Sequence, residues 1–141
     1  MIIMNFKDKV VIVTGGTRGI GLEVAKSFYE KEANVIIFGS KKESVDKAVE
    51  ELSKDNILVE GYYPNLNNYQ EVIETIDKIY NKYKRIDVLI NNAGISANKK
   101  IEDTTSEEFM HIMDININAM YNTSKAVTIY MKKQGYGVIL N

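Results

Sequence analysis

Short runs of β-branched and apolar residues recur along this chain, and each is followed by a stretch with helical spacing. Val10-Val11-Ile12-Val13 leads through Thr14-Gly15-Gly16 into Ile20, Val24 and Phe28 at i, i+4 and i+8, with Ala25 beside them. Val35-Ile36-Ile37-Phe38 leads into Val45, Ala48, Val49 and Leu52, with Ser40 and Glu43 spaced as a capping box. A third run, Leu58 to Tyr63, stops at Pro64, the only proline. Asn68 and Glu71 then read as a cap for a helix carrying Val72, Ile76, Ile79 and Tyr83. Val88-Leu89-Ile90 is the fourth run, and Thr105 and Glu108 cap a long fourth helix to about Gln134, apolar on more than one side between Phe109 and Tyr121. Gly137-Val138-Ile139-Leu140 begins a fifth strand. A strand that is apolar at every position is buried on both faces, which means a parallel sheet covered by helices on each side. Right-handed crossovers then give an α/β fold, a Rossmann-type doubly wound sheet that this sequence follows as far as the fifth strand.

The 141 residues show no linker, repeat or low-complexity segment, so residues 1–141 read as one domain. Net charge is −1 with Lys and Arg scattered, which gives no electrostatic footprint for nucleic acid. Lys41-Lys42, Lys99-Lys100 and Lys132-Lys133 read as solvated faces, the first pair aside where it meets the cofactor argument below. The absence of Cys excludes disulfides and thiolate sites, and a single His excludes a His-based metal cluster or a Ser/His/Asp triad. That residue, His111, reads as a helix-surface position. Met1-Ile2-Ile3-Met4 is too short for a signal peptide and has no basic leader, and no apolar run reaches the ~20 residues of a membrane helix. A cytoplasmic protein with no membrane partner is expected.

The chemistry-bearing segment is Thr14-Gly15-Gly16-Thr17-Arg18-Gly19-Ile20-Gly21. A strand that enters a helix through glycines presents unpaired N–H groups and the positive end of a helix dipole, an anion site suited to a pyrophosphate. Gly15 permits the tight turn, and Gly19 and Gly21 let a phosphate and the neighbouring strand approach the backbone. The spacing Gly-x-x-x-Gly-x-Gly departs from the commoner Gly-x-Gly-x-x-Gly, and no Lys-Ser/Thr follows as in an ATP-binding P-loop.

That turn resembles the cofactor fingerprint of the short-chain dehydrogenase/reductases. Asp87-Val88-Leu89-Ile90-Asn91-Asn92-Ala93-Gly94, Asp114-Ile115-Asn116 and Gly137-Val138-Ile139-Leu140-Asn141 resemble three further markers of the family, in family order and spacing. The resemblance implies a pyrophosphate held on Gly15, Gly19, Ile20 and Gly21, with Thr17 and Arg18 in the same turn. It implies that Asn91, Ala93 and Gly94 line the cofactor and brace the sheet. Asn65 and Leu66 would stand near the adenine, with Asn65 where the family often has Asp. Asn116 would belong to the proton relay beside the active site.

An acid at the end of the second strand holds the ribose 2′-OH of NAD and repels a 2′-phosphate. Here that position is Gly39, followed by Ser40, Lys41 and Lys42, with Arg18 nearby in the turn. Cations without a carboxylate favour NADP(H) over NAD(H). The family's carbonyl-polarising Ser and its Tyr-x-x-x-Lys pair follow the fifth strand. Tyr80-x-x-x-Lys84 and Tyr121-x-x-x-Lys125 both precede that strand and read as structural. The 141 residues alone are therefore expected to be inactive and poorly stable, part of a longer protein that is a homo-oligomer, a dimer or tetramer. The activity implied is hydride transfer between a nicotinamide cofactor and a small-molecule alcohol/carbonyl substrate. Thr14 to Gly21, Ile37-Phe38-Gly39 and Glu108 to Asn116 resemble the bacterial bile-acid 3α-hydroxysteroid dehydrogenases, although those tend to carry an acid at the position of Ser40. A 3-oxoacyl thioester is an equally open substrate, and the alternative to an enzyme is a non-catalytic sensing or interaction module on the same fold.

Overall fold

The computed structural model describes residues 5–53 and 59–141. The readings placed on Met1 to Met4 and on Leu58 lie outside the described residues. Five parallel strands, β1 (Val10–Thr14), β2 (Asn34–Phe38), β3 (Val59–Tyr62), β4 (Val88–Asn91) and β5 (Val138–Leu140), form one sheet in the order β3-β2-β1-β4-β5. The sequence order reverses between β1 and β4, which makes this a doubly wound Rossmann-type sheet. Val11 stands opposite Val35 on one side and Val88 on the other, so the β1 ladder is saturated on both edges.

Alternation along the strands divides the core into two layers. Val10, Ile12, Ile36, Phe38 and Leu89 point to one face, where α3 (Tyr69–Tyr83) contributes Val72, Ile76 and Ile79 and α5 (Ala119–Gln134) contributes Ala126, Val127 and Met131. Val11, Val13, Val35, Ile37, Val88 and Ile90 point to the other, covered by Ala25 and Tyr29 of α1 (Gly19–Tyr29) and Ala48 and Leu52 of α2 (Lys42–Leu52). The α1 stripe differs from its reading in the sequence. Gly21, Ala25 and Tyr29 are buried, whereas Ile20 is 78% exposed because it faces an open cavity rather than the sheet.

Helix starts follow their capping chemistry with one correction. α4 (Ser106–Met113) begins on a complete capping box between Thr105 and Glu108. At α3, the Asn68 side chain accepts from the N–H groups of Gln70 and Glu71, while the Glu71 carboxylate takes the N–H of Asn65 at 2.9 Å. Ser40 does not cap α2: that helix starts behind Lys41, with no side-chain cap, so Ser40 stands one residue too early to reach the first-turn N–H groups. The long fourth helix runs from Ser106 to Gln134, interrupted by a π-helical segment, Asp114–Asn118, between α4 and α5. Phe109, Met110, Ile117 and Tyr121 are exposed along it.

Two carboxylates tie the sheet's margins. Asp87, 1% exposed, accepts from Val10 N–H (2.9 Å) and from Arg85 Nε (2.7 Å) and Nη2 (2.6 Å), with Lys9 at 3.7 Å. Burial works against its charge, but the bonds from Arg85 and Val10 prevail and hold the carboxyl below its ordinary range. Its backbone bonds Val10 O and the Val138 N–H, so one residue joins β1, β4 and β5. On the outer strand β3, Glu60 receives the hydroxyls of Tyr62 (2.9 Å) and Tyr83 (2.5 Å) and the Lys82 ammonium. Burial and the bond to Glu60 push the Tyr62 hydroxyl up to about 12.

Candidate functional site

β1 and β4 end side by side at the point where the strand order reverses, and a parallel sheet opens a crevice at the carboxyl ends of its strands there. The buried Thr14 hydroxyl accepts the N–H groups of Asn92 (3.1 Å) and Ala93 (3.0 Å), and Asn92 Nδ2 donates to the carbonyls of Thr14 and Gly15 (both 3.2 Å). These bonds fix the glycine turn against the segment after β4. Gly15 has φ +65°, and a Cβ there would stand 2.9 Å from the Ala93 Cα. At Gly21 a Cβ would collide with the Gly15 carbonyl and Asn92 Nδ2. Arg18 precedes α1 with extended backbone and gives no side-chain cap, so the first N–H groups of the helix have no side-chain partner.

A cavity of about 820 Å³ opens over this turn. Of the residues expected at a cofactor, Gly15, Thr17, Arg18, Gly19, Ile20, Gly21, Gly39, Ser40, Asn65, Leu66, Ala93 and Gly94 all line it. Lys41 does not; it lines an adjoining groove of about 560 Å³ with Thr17, Arg18, Gly19, Leu22, Ser40, Ser44, Lys47, Ala48 and Glu51. Arg18, Lys41 and Lys47 enter no ion pair among the described residues, whereas neighbouring Lys42 is paired with Asp46. The one carboxylate among the groove's lining residues is Glu51.

Asn91 lies off the cavity wall. Its amide nitrogen donates to Ser124 Oγ (3.0 Å) and Asn141 Oδ1 (2.8 Å), and its oxygen accepts from Thr123 Oγ1 (2.6 Å). It braces β4 against α5, whereas Asn92, just past the end of the strand, lines the cavity. Asn116 lies at the π-helical segment and is likewise not a lining residue. Its Oδ1 accepts from Ile95 N–H and its Nδ2 donates to Ile95 O, both at 2.8 Å. The side chain therefore holds the loop after Gly94, and Ile95 does line the cavity.

The sequence reading passed over Phe38, Asn67, Asn92, Ile95, His111, Ile115 and Ala119 as lining residues. His111, Ile115 and Ala119 fall at spacings of four, a helical stripe that was visible in the sequence. His111 is exposed, as read, and the face it occupies borders the cavity. Among the described residues there is no cluster of His, Cys, Asp and Glu that could hold a metal ion, and no helix is long and apolar enough to cross a membrane.

A family model described as short chain dehydrogenase matches residues 9–141. A 3α-hydroxysteroid dehydrogenase of Mediterraneibacter gnavus is 44% identical over 98% of this chain and 56% of its own length. A 3-oxoacyl-[acyl-carrier-protein] reductase of Thermotoga maritima is 33% identical over 98% of this chain and 56% of its own. A crystal structure of NAD+-bound xylitol dehydrogenase, 29% identical, superposes with a TM-score of 0.91 over 96% of this chain and 53% of that one. The chain spans about half the length of the proteins it matches.

Proposed function

This chain belongs to the short chain dehydrogenase family, and from that premise we propose that residues 1–141 form the cofactor-holding unit of an oxidoreductase acting on an alcohol/carbonyl pair. The observation that carries the reading is the cavity over the glycine turn, with an uncapped helix start and an unpaired arginine at its wall. A dinucleotide suits that donor set. Among the described residues nothing stands within 4 Å of where a Gly19 Cβ would be, which leaves room above the turn for a diphosphate. The N–H groups of Gly19, Ile20 and Gly21 would hold it, and Ala93, Gly94 and Ile95 belong to the same cavity wall. When bound, the nicotinamide supplies or accepts the hydride. Asn116 acts as a positioning residue, keeping Ile95 in place through its two hydrogen bonds.

NADP(H) is the favoured cofactor. The groove beside Ser40 gathers Arg18, Lys41 and Lys47 at the end of β2, where a 2′-phosphate would sit. Tyr80 is stacked on Tyr130 at 4.0 Å and Tyr121 sits with Lys125; neither tyrosine lines the cavity, so neither is given a proton-handling role. The substrate is a hydroxysteroid or a 3-oxoacyl thioester; identity to the 3α-hydroxysteroid dehydrogenase supports the former. The exposed apolar residues of α4 and α5 support a homo-oligomer of the complete protein. Calorimetry on a protein containing residues 1–141 tests the cofactor reading. NADPH is expected to bind roughly tenfold tighter than NADH, the worth of a charge-assisted contact. Tighter NADH binding overturns the preference, and no affinity for either overturns the function.

A further inference from the structure

We propose that His111 is a second cationic group of this cavity, present only when its imidazole carries a proton, and that the hold on a dinucleotide's diphosphate therefore strengthens as pH falls from about 8 to about 6. The inference rests on the cofactor reading above. Among the residues that line the cavity, Arg18 and His111 alone have ionisable side chains, and there is no carboxylate. Arg18 reaches it at the start of α1, the helix on one face of the sheet, and His111 from the helical run whose α5 part covers the other face.

His111, Ile115 and Ala119 form one stripe of that run. Ala119 is buried, Ile115 half-buried and His111 exposed, so the stripe leads from the closed part of the cavity to its mouth. The imidazole enters no hydrogen bond or ion pair among the described residues, which leaves both ring nitrogens open to solvent or a ligand. The π-helical segment on which α4 packs contributes Asp114, which accepts from Asn118 Nδ2 at 2.6 Å. α4 itself carries Glu107, and Glu108 paired with Lys99. The 3-10 turn Ile101–Asp103 before it carries Glu102 and Asp103, with Lys100 preceding. None of these lines the cavity, so Arg18 and the imidazolium are the charges that a bound dianion meets at its wall. Groups in a cavity of about 820 Å³ stand roughly 10 Å apart, and at low salt one positive charge at that distance from a diphosphate dianion is worth about threefold in affinity.

The experiment uses the complete protein that carries residues 1–141. NADH is the probe, because the 2′-phosphate of NADPH itself titrates near about pH 6. Dissociation constants are measured by calorimetry at about pH 6 and about pH 8 in about 10 mM salt, for wild type, His111→Gln and His111→Lys. On going to the lower pH, wild type is expected to tighten by roughly threefold relative to His111→Gln. It is also expected to take up a fraction of a proton that this variant does not, read from buffers of different ionisation enthalpy. His111→Lys, charged at both values, is expected to keep the tighter affinity throughout. A ratio of wild type to His111→Gln that is the same at both pH values, or equal proton uptake in the two, overturns the proposal and leaves the cofactor reading intact. Failure of the wild-type protein to bind either NADH or NADPH overturns both.

Discussion

Gly21 shows how a single position serves both turn and cavity. Its missing side chain lets the Gly15 carbonyl and Asn92 Nδ2 close on the first turn of α1. Gly21→Ala is expected to destabilise the protein by about 1–3 kcal/mol, the usual cost of overpacking, and to weaken NADPH binding as the turn is displaced. Thermal unfolding and calorimetry read the two effects; unchanged affinity would refute the role given to the turn. The glycines and Arg18 were legible in the sequence because backbone need and charge leave residue-type signatures. Ile20 was not, since apolar spacing cannot tell a side chain facing a cavity from one facing the sheet. Asn91 and Asn92 were separable only once their side-chain partners were known, α5 for the first and the glycine turn for the second. Ser40 shows a similar limit, because a shift of one residue at a helix start decides whether a hydroxyl caps or stands free.

Just before β4, one buried side chain helps to join three strands. Asp87 satisfies Val10 N–H and Arg85 in a setting almost closed to water. Asp87→Asn is expected to lower the unfolding free energy at neutral pH by about 1.5–3 kcal/mol, the range for hydrogen bonds to a charged group. The folded carboxyl titrates below its unfolded value. Its stabilisation is therefore complete above the ordinary carboxylate range and is lost as pH falls through the lowered folded value. Urea denaturation from neutral pH down to about pH 3 should show the gap between wild type and variant narrowing below about pH 4; a gap independent of pH would refute it. All five strands, the Thr105 cap and the Val72-Ile76-Ile79 stripe were readable because periodicity and caps are local. The π-helical segment Asp114–Asn118 was not, since one slipped rung of a helix ladder has no residue type of its own.

At the scale of the molecule, the two sides of the sheet differ. Helices cover both faces, but Val138 and Leu140 on β5 and Phe109, Met110, Ile117 and Tyr121 along α4 and α5 stand open to solvent in these 141 residues. The isolated 141-residue chain is expected to be poorly stable and to reduce no carbonyl substrate. Chemical denaturation and a cofactor-oxidation assay check this, and measurable turnover would contradict it. The parallel architecture was evident from uniformly apolar strands, whereas the extent of uncovered surface required the three-dimensional arrangement. The opposite margin of the sheet is defended. Glu60 places a carboxylate on the outermost strand, where its bonds to two tyrosines and a lysine keep it inside the layer. A foreign strand docking alongside β3 would have to disturb that charge, a known deterrent to fibril-like stacking. Of the two margins, β5 is therefore the one left open to strand addition in these 141 residues, with Val138 and Leu140 uncovered beside it.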